Sequence, residues 1–369
     1  MKIGILTVPF NNNYGGFLQA FALKTILSQM GHEVIIINRK RNKVKGVKNY
    51  INRLLFKIGL THDKKARKIE KLSINTNQFK QKYLLPITEE YYTSSELIRC
   101  LKLDINCFIV GSDQVWRYKY AKESITDFFC GFLKGTQIKR FSYAASFGID
   151  ELEYPQKVIN ECKLLLDDFN GISVREKSAI DILVNNFRVK RDKIKFVLDP
   201  TLLLDSNIYL SLFRNRFSRN SSPYLFTYIL DENNEKSFII KEIQSFYDLD
   251  RVDLKAQTGD INNLSPIAHV EEWLSNIYYA DFIITDSYHG TVFSIIFNKP
   301  FLVYGNSQRG ISRFSSLLTT LGLENRYIEN KEHFSISLIT DKIYWNKIND
   351  KIKLLKLESL SFLNNQLSI

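Results

Sequence analysis

Short, wholly apolar runs alternate with stretches of helical periodicity along almost the entire chain, and this alternation limits the fold more than any other feature. Strands covered on both faces read as continuous apolar runs, and they belong to parallel sheets sandwiched by helices. Residues 2–8 are the first such run. A loop then leads to Gly16, a helix runs to Met30 and stops at Gly31, and a second strand over 34–38 completes a β-α-β unit. Further strands are predicted at 107–110, 140–144, 171–174 and 195–198, with a helix over 177–186. Residues 205–222 read as a connection that ends in the polar run Ser218-Arg219-Asn220-Ser221-Ser222. The pattern then restarts, with strands at 224–230, 251–254, 282–285 and 301–304 and helices near 235–247, 268–279, 289–297 and 311–321. Trp345, Ile348, Ile352 and Leu355 form a last helical stripe, suited to packing back on the body. The expectation is an α/β protein with two Rossmann-like domains facing a cleft. The first spans 1–205 with a basic insertion at about 39–85, the second spans 220–335, and a C-terminal helix occupies 340–369. At about 150 residues per domain, 369 residues suit two domains.

Charge is concentrated rather than spread. Residues 39–71 hold 13 Lys and Arg against two acids, Asp63 and Glu70, so this stretch carries +11 of the formal +12. Within it Val44, Val47, Ile51, Leu54, Leu55 and Ile58 recur at three- and four-residue spacing between cations. That pattern fits a helix lying on an anionic membrane surface, and equally a surface helix whose stripe packs on the domain. No nucleic-acid-binding module surrounds the patch, so nucleic acid is not an expected partner. No apolar run is long enough to span a bilayer, and the chain enters its first strand without a signal-like segment. Cys100, Cys107, Cys130 and Cys162 form neither a C-x-x-C pair nor a zinc spacing. The expected location is cytoplasmic, with peripheral contact at the inner membrane face, and no metal or cofactor is expected.

Ligands of open α/β sheets bind at the carboxyl ends of strands, which singles out the polar loops there. Asn13-Tyr14-Gly15-Gly16, with Gln19 one turn later, is either a close-approach loop for a ligand or an ordinary turn. Gly111-Ser112-Asp113-Gln114-Val115-Trp116 suits a polyhydroxylated ligand, with Trp116 covering a sugar face; the alternative is a capped helix start with a core Trp. Ser146 lies in Ser142-Tyr143-Ala144-Ala145-Ser146-Phe147-Gly148, a candidate cleft wall. Arg175 could fork onto a carboxylate or phosphate, or be neutralised by Glu176. Asp286-Ser287-Tyr288-His289-Gly290 follows an apolar strand and places His289 in the first turn of a helix. There an imidazole can exchange protons, unless the motif is only a cap over a buried histidine. Arg309 and Arg313, four apart, could clamp a phosphate or form a solvated basic turn.

These pieces, in this order, resemble the polysaccharide pyruvyl transferase family. The resemblance rests on Asn13-Tyr14-Gly15 with Leu18-Gln19, Gly111 to Trp116, Ser142 to Gly148, Arg175-Glu176-Lys177-Ser178, Leu198-Asp199-Pro200-Thr201, and Asp286 to Gly290. It implies an architecture similar to GT-B glycosyltransferases. It also implies transfer of pyruvate from phosphoenolpyruvate, as a cyclic ketal, to a sugar of a surface polysaccharide or its lipid-linked repeat unit. His289 and Arg175 inherit the catalytic roles. Characterised family transferases have Arg-Leu-His where this chain has Ser287-Tyr288-His289, so the resemblance makes Arg309 or Arg313 the substitute for the missing arginine. Donor binding then involves Arg309, Arg313, Ser287, Tyr288 and Gly290. The acceptor cleft involves Asn13, Tyr14, Gly15, Gly16, Gln19, Ser112, Asp113, Gln114, Trp116, Ser146 and Asp286. Two other readings remain: a nucleotide-sugar glycosyltransferase on the same architecture, and a non-catalytic carbohydrate- or nucleic-acid-binding protein.

Overall fold

The computed structural model describes residues 1–10, 13–40, 70–219, 222–254, 266–305 and 310–368. The amphipathic stripe at 44–58 and Arg309 lie outside the described residues. The first sheet contains β1 (Lys2–Leu6), β2 (Glu33–Ile37), β3 (Cys107–Val110) and β4 (Lys139–Ser142), all parallel in the order β2-β1-β3-β4. Ile5 sits opposite Ile36 on one side and Ile109 on the other, and every residue of β3 is buried. Parallel pairs need a crossover; helix α1 (Tyr14–Gln29) supplies the first, capped by Asn13, whose side chain accepts from Gly15 N. Bridges from Phe141 to Gly171 and from Ala145 to Val174 attach a further parallel pair, β5 (Ile172–Val174) and β6 (Ile194–Phe196), with α2 (Lys177–Asn185) between them.

Residues 206–213 depart from the plain connection expected there. Tyr209, Leu210, Leu212 and Phe213 are buried, and this spacing winds the segment into helix α3 (Ser206–Phe213). The second sheet follows, parallel throughout, from β7 (Tyr224–Tyr228), β8 (Asp250–Asp253), β9 (Phe282–Thr285), β10 (Phe301–Tyr304) and β11 (Tyr327–Ile328), in the order β11-β10-β9-β7-β8. Its helices are α4 (Asn234–Tyr247), α5 (Val270–Tyr279), α6 (Tyr288–Ile296) and α7 (Ile311–Leu321). The two-residue β11 has no counterpart in the sequence reading, because a pair that short carries no periodicity.

Helix α8 (Trp345–Leu367) returns to the first half. Phe362 packs on Phe141 and Tyr143, and the Ser359 hydroxyl accepts from Leu198 N at 3.0 Å. One apolar core is shared by residues of both sheets, from Ile3 and Leu18 through Trp273 and Phe293 to Leu363. No helix among the described residues is long and apolar enough to cross a membrane.

Candidate functional site

Three strand ends of the first half converge on Arg175. The chain leaves β5 at Val174, so Arg175 projects from a strand terminus. Its Nη1 donates to Asp199 Oδ2 at 2.6 Å and its Nη2 to Asp113 Oδ1 at 3.0 Å. Asp113 follows β3 with φ of 74°, a left-handed conformation that Asp tolerates better than most side chains. Asp199 follows β6 and is held from several sides: Thr201 donates to its Oδ1 through both N–H and hydroxyl, and the Ser112 hydroxyl donates to Oδ2 at 2.9 Å. Glu176 accepts from Phe147 N and Gly148 N, and so fixes the loop after β4.

The second half contributes the start of α6. Ser287 caps this helix by accepting from Gly290 N. Gly290 is required because a Cβ there would lie 2.5 Å from Thr285 Oγ1. His289 Nε2 comes 3.7 Å from Asp199 Oδ2, an ion-pair distance rather than a hydrogen bond. The other edge of the imidazole rests on Gly15 of α1, where a Cβ would stand only 2.0 Å from Nδ1. Tyr288 presents its ring to two guanidiniums, Arg175 at 4.4 Å and Arg313 of α7 at 5.4 Å. Beside this cluster the halves touch backbone to backbone. Gly310 has φ of 87°, and a Cβ there would fall 1.9 Å from Gly148 O. His289, Arg175 and Arg313 are 4, 3 and 5 % exposed.

Such burial makes the charges strongly interdependent. Burial alone would raise Asp113, but Arg175, His289 and Arg313 hold its carboxyl below the usual range. Burial would raise Asp199 as well, but the facing His289, Arg175 and the Thr201 donors hold its carboxyl well below that range. Glu176 is shifted upward by burial, which outweighs Arg175. Burial, reinforced by the neighbouring Arg175, brings Arg313 down to about 10. Arg175 is met by the carboxylates of Asp113, Glu176 and Asp199, and Arg313 feels Asp113 and Glu176.

His289, Arg175, Arg313, Tyr288, Ser287, Gly290, Gly15, Ser112 and Asp113 therefore come together, although the sequence spreads them across about three hundred positions. Ser146 is buried in the loop that Glu176 holds, and Gln114 accepts from Arg117 Nη1 and lies against Gly148. Several expected acceptor residues face elsewhere. Trp116 is fully buried, stacks on Phe129 and donates its indole N–H to Phe128 O, so it is a core residue and not a sugar platform. Gln19 donates to Thr7 Oγ1 and Gly16 O and ties α1 to the end of β1. Tyr14 stacks on Trp273 and donates to Ala268 O, a contact between the halves. Asp286 accepts from Leu230 N, Asp231 N and Lys236 Nζ and braces the end of β7, which removes it from the acceptor side. Asn13 is spent as the α1 cap, and Gly16 has only ordinary contacts around it. The sequence reading assigned no role to Asp199. The available signal was an Asp-Pro-Thr at a strand end, where Asp caps the turn and Pro starts it.

Among the described residues, no group of His, Cys, Asp and Glu is arranged to hold a metal ion. Comparison with solved structures gives fold-level likeness across nearly the whole chain. S. aureus MnaA solved with UDP is 13 % identical with a TM-score of 0.57, covering 100 % of this chain and 98 % of that one. UDP-GlcNAc 2-epimerase from Methanocaldococcus jannaschii, solved with UDP-GlcNAc and UDP, is 14 % identical at 0.52, covering 97 % and 100 %. A glycosyltransferase from Rickettsia africae is 13 % identical at 0.50, covering 99 % and 98 %. The fold is thus the GT-B arrangement of paired α/β halves. No curated protein matches the sequence significantly. The family model for polysaccharide pyruvyl transferase matches residues 13–308, a span that takes in Gly15, the Arg175 and Asp199 strand ends and the α6 histidine. By that match, the chain belongs to the polysaccharide pyruvyl transferase family.

Proposed function

We propose that this protein transfers pyruvate from phosphoenolpyruvate to two hydroxyls of one saccharide, forming a cyclic ketal and releasing phosphate. The observation that supports this most directly is the pair of buried guanidiniums on the Tyr288 ring, beside an imidazole with its own carboxylate. A small ligand carrying both carboxylate and phosphate suits two adjacent cations. Arg313, arriving from α7, takes the part that the serine at 287 cannot play. Arg175 is already bound to Asp113 and Asp199, so its function is to hold the cluster as well as to face the donor.

In this reading the His289 imidazolium gives its proton to the methylene carbon of the enol phosphate. The resulting centre at C2, with oxocarbenium character, is attacked by the first sugar hydroxyl, whose proton returns to the imidazole. The C2–O bond to phosphate then breaks, and the second hydroxyl closes the ring while its proton leaves with the phosphate. The guanidiniums offset the charge on the carboxylate and the departing phosphate. The acceptor is a saccharide of a surface polysaccharide, free or lipid-linked; in the second case the basic stretch at 39–71 would meet the anionic membrane.

Calorimetric titration of the full chain with phosphoenolpyruvate and, separately, UDP-GlcNAc tests the reading. Heat on adding phosphoenolpyruvate, followed by phosphate release once a polysaccharide acceptor is supplied, is expected. Binding of UDP-GlcNAc with none of phosphoenolpyruvate overturns it in favour of a nucleotide-sugar enzyme.

A further inference from the structure

The acid–base group of the site is not carried by one half of the molecule. His289 belongs to α6 of the second half, while the carboxylate nearest its Nε2 belongs to the strand end of β6 in the first, ninety positions away in sequence. Asp199 is fully buried, as rigidly fixed as a carboxylate can be: Oδ1 takes two donors from Thr201 and Oδ2 takes Ser112 and Arg175. Four donors hold it in place whether or not His289 is charged, and Oδ2 is the atom turned toward the imidazole.

We infer that Asp199 is a positioning residue that orients His289 and stabilises its imidazolium, so that the proton donor is complete only while the two halves are in contact. The inference rests on the pyruvyl transfer reading for its kinetic consequences, and on geometry alone for the rest. The ring is bounded by Gly15 of α1 on one edge and Asp199 on the other, with Tyr288 edge-on at 5.3 Å. The charged groups around it are Asp199 and Asp113 as anions and Arg175 and Arg313 as cations. Only Asp199 stands within ion-pair distance of the imidazole among the described residues. If the halves part, the imidazole loses that partner and Gly15 together. Proton donation is thereby tied to the closed arrangement, in which water is excluded.

Asp199→Asn keeps the shape and removes the charge. Comparison of the His289 ring signals by NMR needs no substrate, and in the variant the ring should lose its fixed orientation between Gly15 and residue 199, read as ring signals broadened relative to the native protein. In turnover with phosphoenolpyruvate, kcat should fall about 10²- to 10⁴-fold. The donor KM should not rise, because Arg175 is relieved of one carboxylate. The double variant Asp199→Asn/His289→Gln should be no slower than His289→Gln, since residues acting as one unit are not additive. Unchanged His289 ring signals, or additive losses in the double variant, overturn the inference. If the native protein does not turn over phosphoenolpyruvate at all, the functional reading fails, while the NMR comparison still decides the role of Asp199. Should Asp199→Asn not fold, Thr201→Val loosens the same carboxylate without removing its charge. A several-fold fall in kcat with KM unchanged then supports the role, and an unchanged kcat overturns it.

Discussion

Replacing Gly15 by alanine is the sharpest test of how the imidazole is seated, because it adds a single methyl group on the opposite half of the molecule. A Cβ at residue 15 would lie 2.0 Å from His289 Nδ1 and 2.3 Å from Cγ, whereas ordinary contact begins near 3.4 Å, so the ring or α1 must move by about 1.4 Å. The ring has little freedom to yield, with Asp199 and Tyr288 on its other sides. Overpacking of this kind costs about 1–3 kcal/mol. Misplacement of a catalytic group by about 1 Å costs on the order of 100-fold in rate. Gly15→Ala should therefore lower the urea midpoint modestly and the turnover by about 100-fold or more. The next residue is the control: a Cβ on Gly16 would meet only Asn13 Nδ2 at 3.6 Å, an ordinary contact, and alanine suits a helix better than glycine by about 1 kcal/mol. Gly16→Ala should keep its activity and gain stability. If both variants behave alike, or if Gly15→Ala leaves melting, turnover and the His289 NMR signal unchanged, the imidazole does not rest on α1 and the argument for a site shared between the halves fails.

Two further outcomes follow from the charge cluster. Arg175→Met strands Asp113 and Asp199 as buried carboxylates without their cation, and should cost about 3–5 kcal/mol in chemical denaturation; a loss below about 1 kcal/mol would mean that water reaches and solvates the site. Asp113 and Asp199 are both held below their ordinary value of 3.8, so the stability they contribute is present above about pH 4 and is lost as pH falls toward their folded values. Glu176, shifted up from 4.5, acts in the opposite sense: its contribution is present below its ordinary value and is lost as pH rises through the folded one. With two carboxylates against one, the urea midpoint should decline below about pH 4, and a midpoint unchanged down to about pH 3 would contradict the assignment.

Much of the site was legible because its elements announce themselves locally. Apolar runs such as Phe282–Thr285 and Phe301–Tyr304 match the observed strands residue for residue, and a serine-tyrosine-histidine-glycine one residue after the first of them marks a helix start. Arg175 stood out as part of a charge pair with Glu176 at a strand end, and its role came from the family resemblance. Trp116 misled because an indole after a polar loop looks the same in sequence whether its face meets a sugar or Phe129; only packing distinguishes the two. Gln19 and Asp286 misled in a similar way, since a polar side chain at a strand end can bind a ligand or satisfy backbone donors, and here both satisfy the protein itself.

Period and punctuation along the chain thus placed all but the two-residue last strand to within about two residues, and set His289 and Arg175 just beyond strand ends, because hydrophobic runs and helix capping are properties of neighbouring residues. Tertiary structure alone decided that Asp199 partners His289, that Gly15 lacks a side chain to admit an imidazole from the other half, and that Arg313 shares the ring of Tyr288 with Arg175. Those contacts join residues dozens to hundreds of positions apart, and the relative placement of two sheets, which no local pattern encodes, brings them within a few ångströms.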